Sequence, residues 1–118
     1  HPGLIPSVRG LDAFKWAILD KKPLGITLHI IDKKIDSGKH LKSVKTSISK
    51  DDTIEQLAKK HYKLEIDLLA NFRKHLESPE KEMSNLARDK PRMRMPVNLE
   101  KSMLHGFEDY IKTFWNKE

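Results

Sequence analysis

Residues 25–32 read Gly-Ile-Thr-Leu-His-Ile-Ile-Asp, and no other stretch limits the fold as much. Ile26, Leu28 and Ile30 fall on one face of an extended strand; Thr27, His29 and Ile31 fall on the other. Both faces are largely apolar, so the strand is expected to be central, covered above and below and paired on both edges. The sequence offers one other convincing strand, from about His40 to Ser49, with Leu41, Val44, Thr46 and Ile48 as its inward or ladder residues. Lys39, Lys42 and Lys45 suit a face or edge turned to water. Two strands leave an open edge and an uncovered apolar face. The chain is therefore expected to be an α/β fragment that pairs with another copy or with further polypeptide.

The remaining elements arrange themselves around that strand. Residues 1–11 read as loop, because Pro2 and Pro6 fix φ while Gly3 and Gly10 permit turns. Asp12 is the predicted N-cap of a helix to about Leu19, with Ala13, Trp16 and Ala17 inward and Pro23 as its stop. Thr53 to Gln56 forms a capping box, backed by Asp51 and Asp52. One long helix is expected from there to about Glu77, burying Ile54, Leu57, Ala58, His61, Leu68, Leu69, Phe72 and Leu76. Residues 78–98 read as a basic loop. Asn98 is the predicted cap of a final helix with Leu99, Met103, Phe107, Tyr110, Ile111 and Phe114 inward.

The 118 residues make one domain or part of one. There is no cysteine, so disulfides and thiolate metal sites are excluded, which fits a cytoplasmic protein. The net charge of +6 favours anionic partners, although for a lysine-rich chain it equally serves solubility. No apolar run reaches membrane-spanning length, and no membrane partner is expected.

Chemistry concentrates at the two ends of the first forty residues. His1-Pro2-Gly3-Leu4-Ile5-Pro6 opens the chain, and Ile35-Asp36-Ser37-Gly38 closes the segment. A histidine beside an aspartate is a workable acid–base pair, because the carboxylate fixes the imidazole tautomer. Between them stand Arg9-Gly10, Trp16-Ala17-Ile18 and Gly25-Ile26-Thr27-Leu28-His29. In order and spacing these five runs closely resemble the formyl-tetrahydrofolate-dependent formyltransferases. That family reads Asn-x-His-Pro-Ser-Leu-Leu-Pro, Arg-Gly, Trp-Ala-Ile, Gly-Val-Thr-(apolar)-His and Asp-Thr-Gly.

The resemblance implies a catalytic trio of Asn, His and Asp, with His1 and Asp36 in the last two places. The Asn would stand two residues before His1, and Gly3 departs from the family's Ser. The fold implied is the C-terminal half of a formyltransferase-type α/β sheet flanked by helices, the Rossmann-like upstream half lying outside this sequence. A start on a residue in a catalytic place, without an initiator Met, is read as the C-terminal part of a longer protein. The implied donor is 10-formyltetrahydrofolate, with Asp36 and Gly38 on its side of the site and no metal.

Arg9, Gly10 and His29 are the candidates for the acceptor side. Arg9 reads equally as a structural salt bridge, and His29 as a hydrogen-bonded core histidine. The other histidines lack metal-ligand spacing and read as ordinary surface or helix residues; His61 and Glu65 make only an i, i+4 pair. Arg88, Lys90, Arg92 and Arg94 suit a diphosphate or an RNA backbone, with a solvated basic loop as the simpler account. Phe107, Tyr110, Phe114 and Trp115 read first as core and second as a stacking platform.

The expected division is 1–78 as the catalytic-core part and 79–118 as basic loop and C-terminal helix. The Trp-Ala-Ile run resembles the tRNA-linked and amino-sugar branches, and little chain follows Pro96. An amine acceptor on a nucleotide-linked amino sugar is the leading expectation, with initiator methionyl-tRNA second. A non-catalytic basic module that keeps the fold is the rival of a different class.

Overall fold

The computed structural model describes residues 12–31, 38–78 and 92–115. Helix α1 (Ala13–Leu19) leads through a tight turn into strand β1 (Gly25–Ile31), which pairs antiparallel with β2 (Gly38–Lys45). Four helices follow: α2 (Ile54–Ala70), α3 (Phe72–Glu77), α4 (Val97–His105) and α5 (Phe107–Phe114).

The turn after α1 is a Schellman motif. Lys22 N–H donates to the Ala17 carbonyl at 2.9 Å and Lys21 N–H to the Ile18 carbonyl at 3.3 Å. Lys21 takes the left-handed conformation that the motif requires, φ 55°, at a position where glycine is the usual residue. Asp12 is also left-handed, φ 54°, and its side chain does not cap α1. Its Oδ2 instead accepts the Met95 N–H at 2.9 Å, so a long-range partner replaces the expected local one.

As expected, β1 is buried on both faces: Ile26, Thr27 and Leu28 are all covered. Its register runs from Gly25 opposite Lys45 to Ile31 opposite Gly38, with an irregularity between Leu28 and His29. The second strand sits earlier than the sequence suggests, ending at Lys45 rather than Ser49. The Thr46 N–H still donates to the Leu24 carbonyl at 2.8 Å. Beyond it the chain turns toward the capping box, where the Ser49 N–H donates to Asp52 and Lys60 pairs with the same carboxylate.

The capping box forms as read. Thr53 N–H donates to Gln56 Oε1 at 2.9 Å, and Gln56 N–H donates to Thr53 Oγ1 at 3.2 Å. The expected single helix to Glu77 is broken at Asn71. Its backbone leaves helical values (φ −102°, ψ 24°), while its Nδ2 donates to the Asp67 carbonyl at 2.8 Å. The inward stripe also needs correction. Leu57, His61 and Leu68 are buried as expected, but Leu69, Phe72 and Leu76 are exposed. The final helix is likewise two: it starts at Val97, after Pro96 rather than Asn98, and breaks at Gly106. Met103, Tyr110 and Ile111 point inward as read.

The principal core lies where α1 meets α4 and α5. Ala13, Trp16, Ala17, Ile18 and Leu24 pack there with Met95, Met103, Tyr110 and Ile111, joined by Ile48 and Leu57. The Tyr110 hydroxyl donates to the Lys22 carbonyl at 2.8 Å, tying α5 to the end of α1. Burial pushes that hydroxyl's pKa well above its ordinary value. Among the described residues no helix is long and apolar enough to cross a membrane.

Candidate active site and its framework

The register of β1 and β2 fixes the two strand ends that flank residues 32–37 in the chain. Ile31 and Gly38 face each other in the last register pair, so residues 32–37 connect two strand ends held side by side. His29 and His40 face each other across the same ladder, just past the irregularity, and His29 is half-buried. His29 and Gly38 therefore lie toward the same end of the strand pair. Of the other sequence-derived site residues, His1, Arg9, Gly10 and Asp36 lie outside the described residues.

Residues 1–11 precede α1 in the sequence, and α1 is fastened by a strap of residues 92–96. Trp16 Nε1 donates to the Met93 carbonyl at 2.8 Å. The Arg92 guanidinium lies 4.3 Å from the centroid of the Trp16 ring and donates to Asp20 Oδ2 at 3.1 Å. Met95 is buried and bonded to Asp12, and Lys15 pairs with Glu100 at 3.3 Å. Both ends of α1 are thus pinned. Arg92 packs on Trp16 and pairs with Asp20, a role that neither the solvated-loop reading favoured from the sequence nor the phosphate-grip alternative includes. Arg94 is exposed, and Arg88 and Lys90 lie outside the described residues.

His61 is buried, as its place in the helical stripe implies, and it carries a polar link that the periodicity does not show. Its Nδ1 stands 2.7 Å from Thr46 Oγ1, and its ring lies 5.4 Å from that of Phe14. It joins α2 to the end of β2 and to α1. The helical period already put His61 between Leu57 and Leu68 on the inward face, and that was the available signal. Phe107 and Trp115 are half-buried and border a cavity of about 530 Å³, with Ile111, Lys50 and Lys112 also in its wall. Tyr110 is core, with Phe114 at 4.7 Å between ring centroids. Among the described residues no three His, Cys, Asp or Glu side chains cluster as a metal site.

A helix pinned to a strap and an antiparallel strand pair, its first strand covered on both faces, define part of an α/β fold. The chain belongs to the formyl transferase family, whose profile matches residues 1–72, a span containing both His1 and Asp36. It is 38% identical over 61 residues to a bifunctional polymyxin resistance protein ArnA from Wigglesworthia glossinidia brevipalpis, covering 51% of this chain and 9% of that protein. It is 33% identical over 87 residues to a methionyl-tRNA formyltransferase from Caldanaerobacter subterraneus subsp. tengcongensis, covering 70% of this chain and 28% of that protein.

Its fold resembles that of a sugar N-formyltransferase from Shewanella sp FDAARGOS_354, with TM-score 0.62 and 24% identity over 88% of this chain and 48% of that one. It also resembles the formyltransferase PseJ from Anoxybacillus kamchatkensis, solved with UDP-4,6-dideoxy-4-formamido-L-AltNAc and tetrahydrofolate. There the TM-score is 0.62 and the identity 17%, over 95% of this chain and 60% of that one. The chain thus spans a small part of these curated relatives and about half of the solved structures.

Proposed function

We propose that this chain forms the catalytic part of an enzyme that moves a formyl group from 10-formyltetrahydrofolate to an amine. The observation that carries the reading is the family match over residues 1–72, which takes in every motif from the His1 loop to the Asp36 loop. In this reading the acceptor nitrogen attacks the formyl carbon, the new C–N bond forms, and the bond from that carbon to folate nitrogen breaks. The proton leaving the amine is transferred to the folate nitrogen. His1 donates a hydrogen bond to the tetrahedral oxyanion, an interaction worth about 3–4 kcal/mol when the donor is preorganised. Asp36 orients His1 and helps remove the amine proton, directly or through water. Asp36 and Gly38 stand on the donor side; Arg9, Gly10 and His29 stand on the acceptor side.

Residues 1–78 hold the chemistry in this account, while within 79–118 the strap of residues 92–96 and helices α4 and α5 support α1. The acceptor we favour is an amino sugar carried on a nucleotide. Its support is the fold likeness to a sugar N-formyltransferase over 88% of this chain, a share that extends past residue 72. The methionyl-tRNA formyltransferase relative, matched over 70% of this chain, supports initiator methionyl-tRNA as the second reading. We place the enzyme in the cytoplasm, where folate donors and nucleotide sugars meet.

Assaying formyl transfer by the full polypeptide against nucleotide-linked amino sugars and charged initiator tRNA tests both readings. Transfer to the sugar with a saturable KM is expected. Exclusive transfer to methionyl-tRNA would replace the acceptor, and transfer to neither acceptor would favour the non-catalytic module.

A further inference from the structure

Asp12 stands between α1 and the residues before it, and its conformation is unfavourable in two ways. Its backbone is left-handed (φ 54°, ψ 35°), where a helix N-cap is normally extended and where a Cβ is a burden. Its carboxylate also forgoes the bond to the first helical turn that an aspartate is suited to make there. Both departures serve one contact: Oδ2 accepts the N–H of the buried Met95 at 2.9 Å.

Placing the helix does not require that contact. Trp16 on the Met93 carbonyl, Arg92 on Asp20 and Lys15 on Glu100 already hold α1 to the strap and to α4. What the Asp12 bond adds is a fixed torsion at the N-terminal boundary of α1, because φ at Asp12 sets the direction of the peptide link to Leu11. Strained backbone that persists only because its surroundings hold it clusters at functional sites. Arg9 and Gly10 stand three and two residues earlier in the sequence, within about 11 Å of extended chain.

We propose that Asp12 is a positioning residue for the acceptor: its left-handed backbone, locked by Met95, sets the direction in which the chain leaves α1 toward Gly10 and Arg9. This rests on the formyl-transfer reading, which puts Arg9 and Gly10 on the acceptor side. The strap, 83 residues away in sequence, thereby becomes a determinant of acceptor affinity.

Steady-state formyl transfer by the full polypeptide tests the proposal, with a nucleotide-linked amino sugar or charged initiator tRNA as acceptor, whichever the parent formylates. Asp12→Gly takes the same backbone without strain but has no acceptor atom, and Asp12→Ser ends one bond short of the carboxylate oxygen. Each should raise the KM for the acceptor about tenfold and leave that for 10-formyltetrahydrofolate within about twofold. Calorimetric titration of the acceptor without donor should show the same tenfold loss. Asp12→Asn keeps an oxygen at the same reach and tolerates the left-handed backbone, so it should stay within about twofold of the parent. Circular dichroism and melting confirm that the variants are folded at the assay temperature. Unchanged acceptor affinity in both unlocked variants overturns the proposal and leaves the formyl-transfer reading standing. So does an equal rise in both KM values, which marks general loosening, or a loss in Asp12→Asn as large as in Asp12→Gly, which marks a role for the charge. Failure of both unlocked variants to fold makes Asp12 structural and overturns it as well. A parent that formylates neither acceptor overturns the reading and the proposal together.

Discussion

The indole N–H of Trp16 donates to the Met93 carbonyl at 2.8 Å, across 77 residues of sequence. This bond fastens the helix that follows the His1 segment to the strap preceding the last two helices. Arg92 closes over the other side of the same ring. Trp16→Phe keeps most of the packing but strands the carbonyl and weakens the cation–π contact. A loss of about 1–3 kcal/mol is expected, read as a lower urea midpoint at unchanged m. A change below about 0.5 kcal/mol would mean the strap is held by its other contacts alone.

Lys21 occupies a left-handed position in the Schellman motif, where a Cβ is a burden. Lys21→Gly should stabilise the protein by about 0.5–1 kcal/mol, since relief of backbone strain outweighs the added freedom of the unfolded chain. Thermal unfolding with and without the substitution measures it, and destabilisation would contradict the assigned turn.

Thr46 and His61 form a buried polar pair at 2.7 Å. Thr46→Val preserves shape and removes the hydroxyl, leaving imidazole Nδ1 without that partner. A cost of about 1–3 kcal/mol is expected. In the Thr46→Val/His61→Leu double variant the unmatched polar group is gone. Its loss should fall short of the sum of the two single losses, which a double-mutant cycle by denaturant unfolding reads directly.

Tyr110 gives a pH-dependent signature. Its hydroxyl donates to the Lys22 carbonyl, and burial raises its folded pKa above the ordinary 10.0. The folded state therefore holds the proton more tightly than the unfolded chain does. This contribution is fully present below pH 10 and is lost as pH rises above it, by up to about 1.4 kcal/mol per pH unit. The difference in stability between the parent and Tyr110→Phe should be flat from pH 7 to 9 and shrink above 10. A difference independent of pH would contradict the buried, protonated hydroxyl.

The elements legible in the sequence are those written by local chemistry. The β1 alternation, the Thr53–Gln56 capping box and the Pro23 stop all rest on residues within a few positions of one another. What was misread depends on distant partners or competing local bonds. Asp12 has the residue type of a cap, yet its carboxylate is claimed by Met95, 83 residues away. Arg92 sits in a basic cluster that reads first as a solvated loop, and its packing role emerges only when Asp20 and Trp16 are brought beside it. The break at Asn71 comes from a side-chain amide that bonds the backbone one turn back, and helical periodicity is blind to that. The framework of the candidate site shows the same division. The order of motifs reveals the family, while the fastening of α1 emerges only once the chain is folded.

The central claim is that His1 and Asp36 act together in formyl transfer, and single-turnover transfer by the full polypeptide tests it most directly. Asp36→Asn, compared with the parent at saturating donor and acceptor, should lower the transfer rate at least a hundredfold while changing donor affinity less than about threefold. His1→Ala should lower it comparably, and the double variant should lose little more, because the two serve one proton-transfer unit. A parent-like transfer rate in Asp36→Asn, with donor binding intact, would contradict the account.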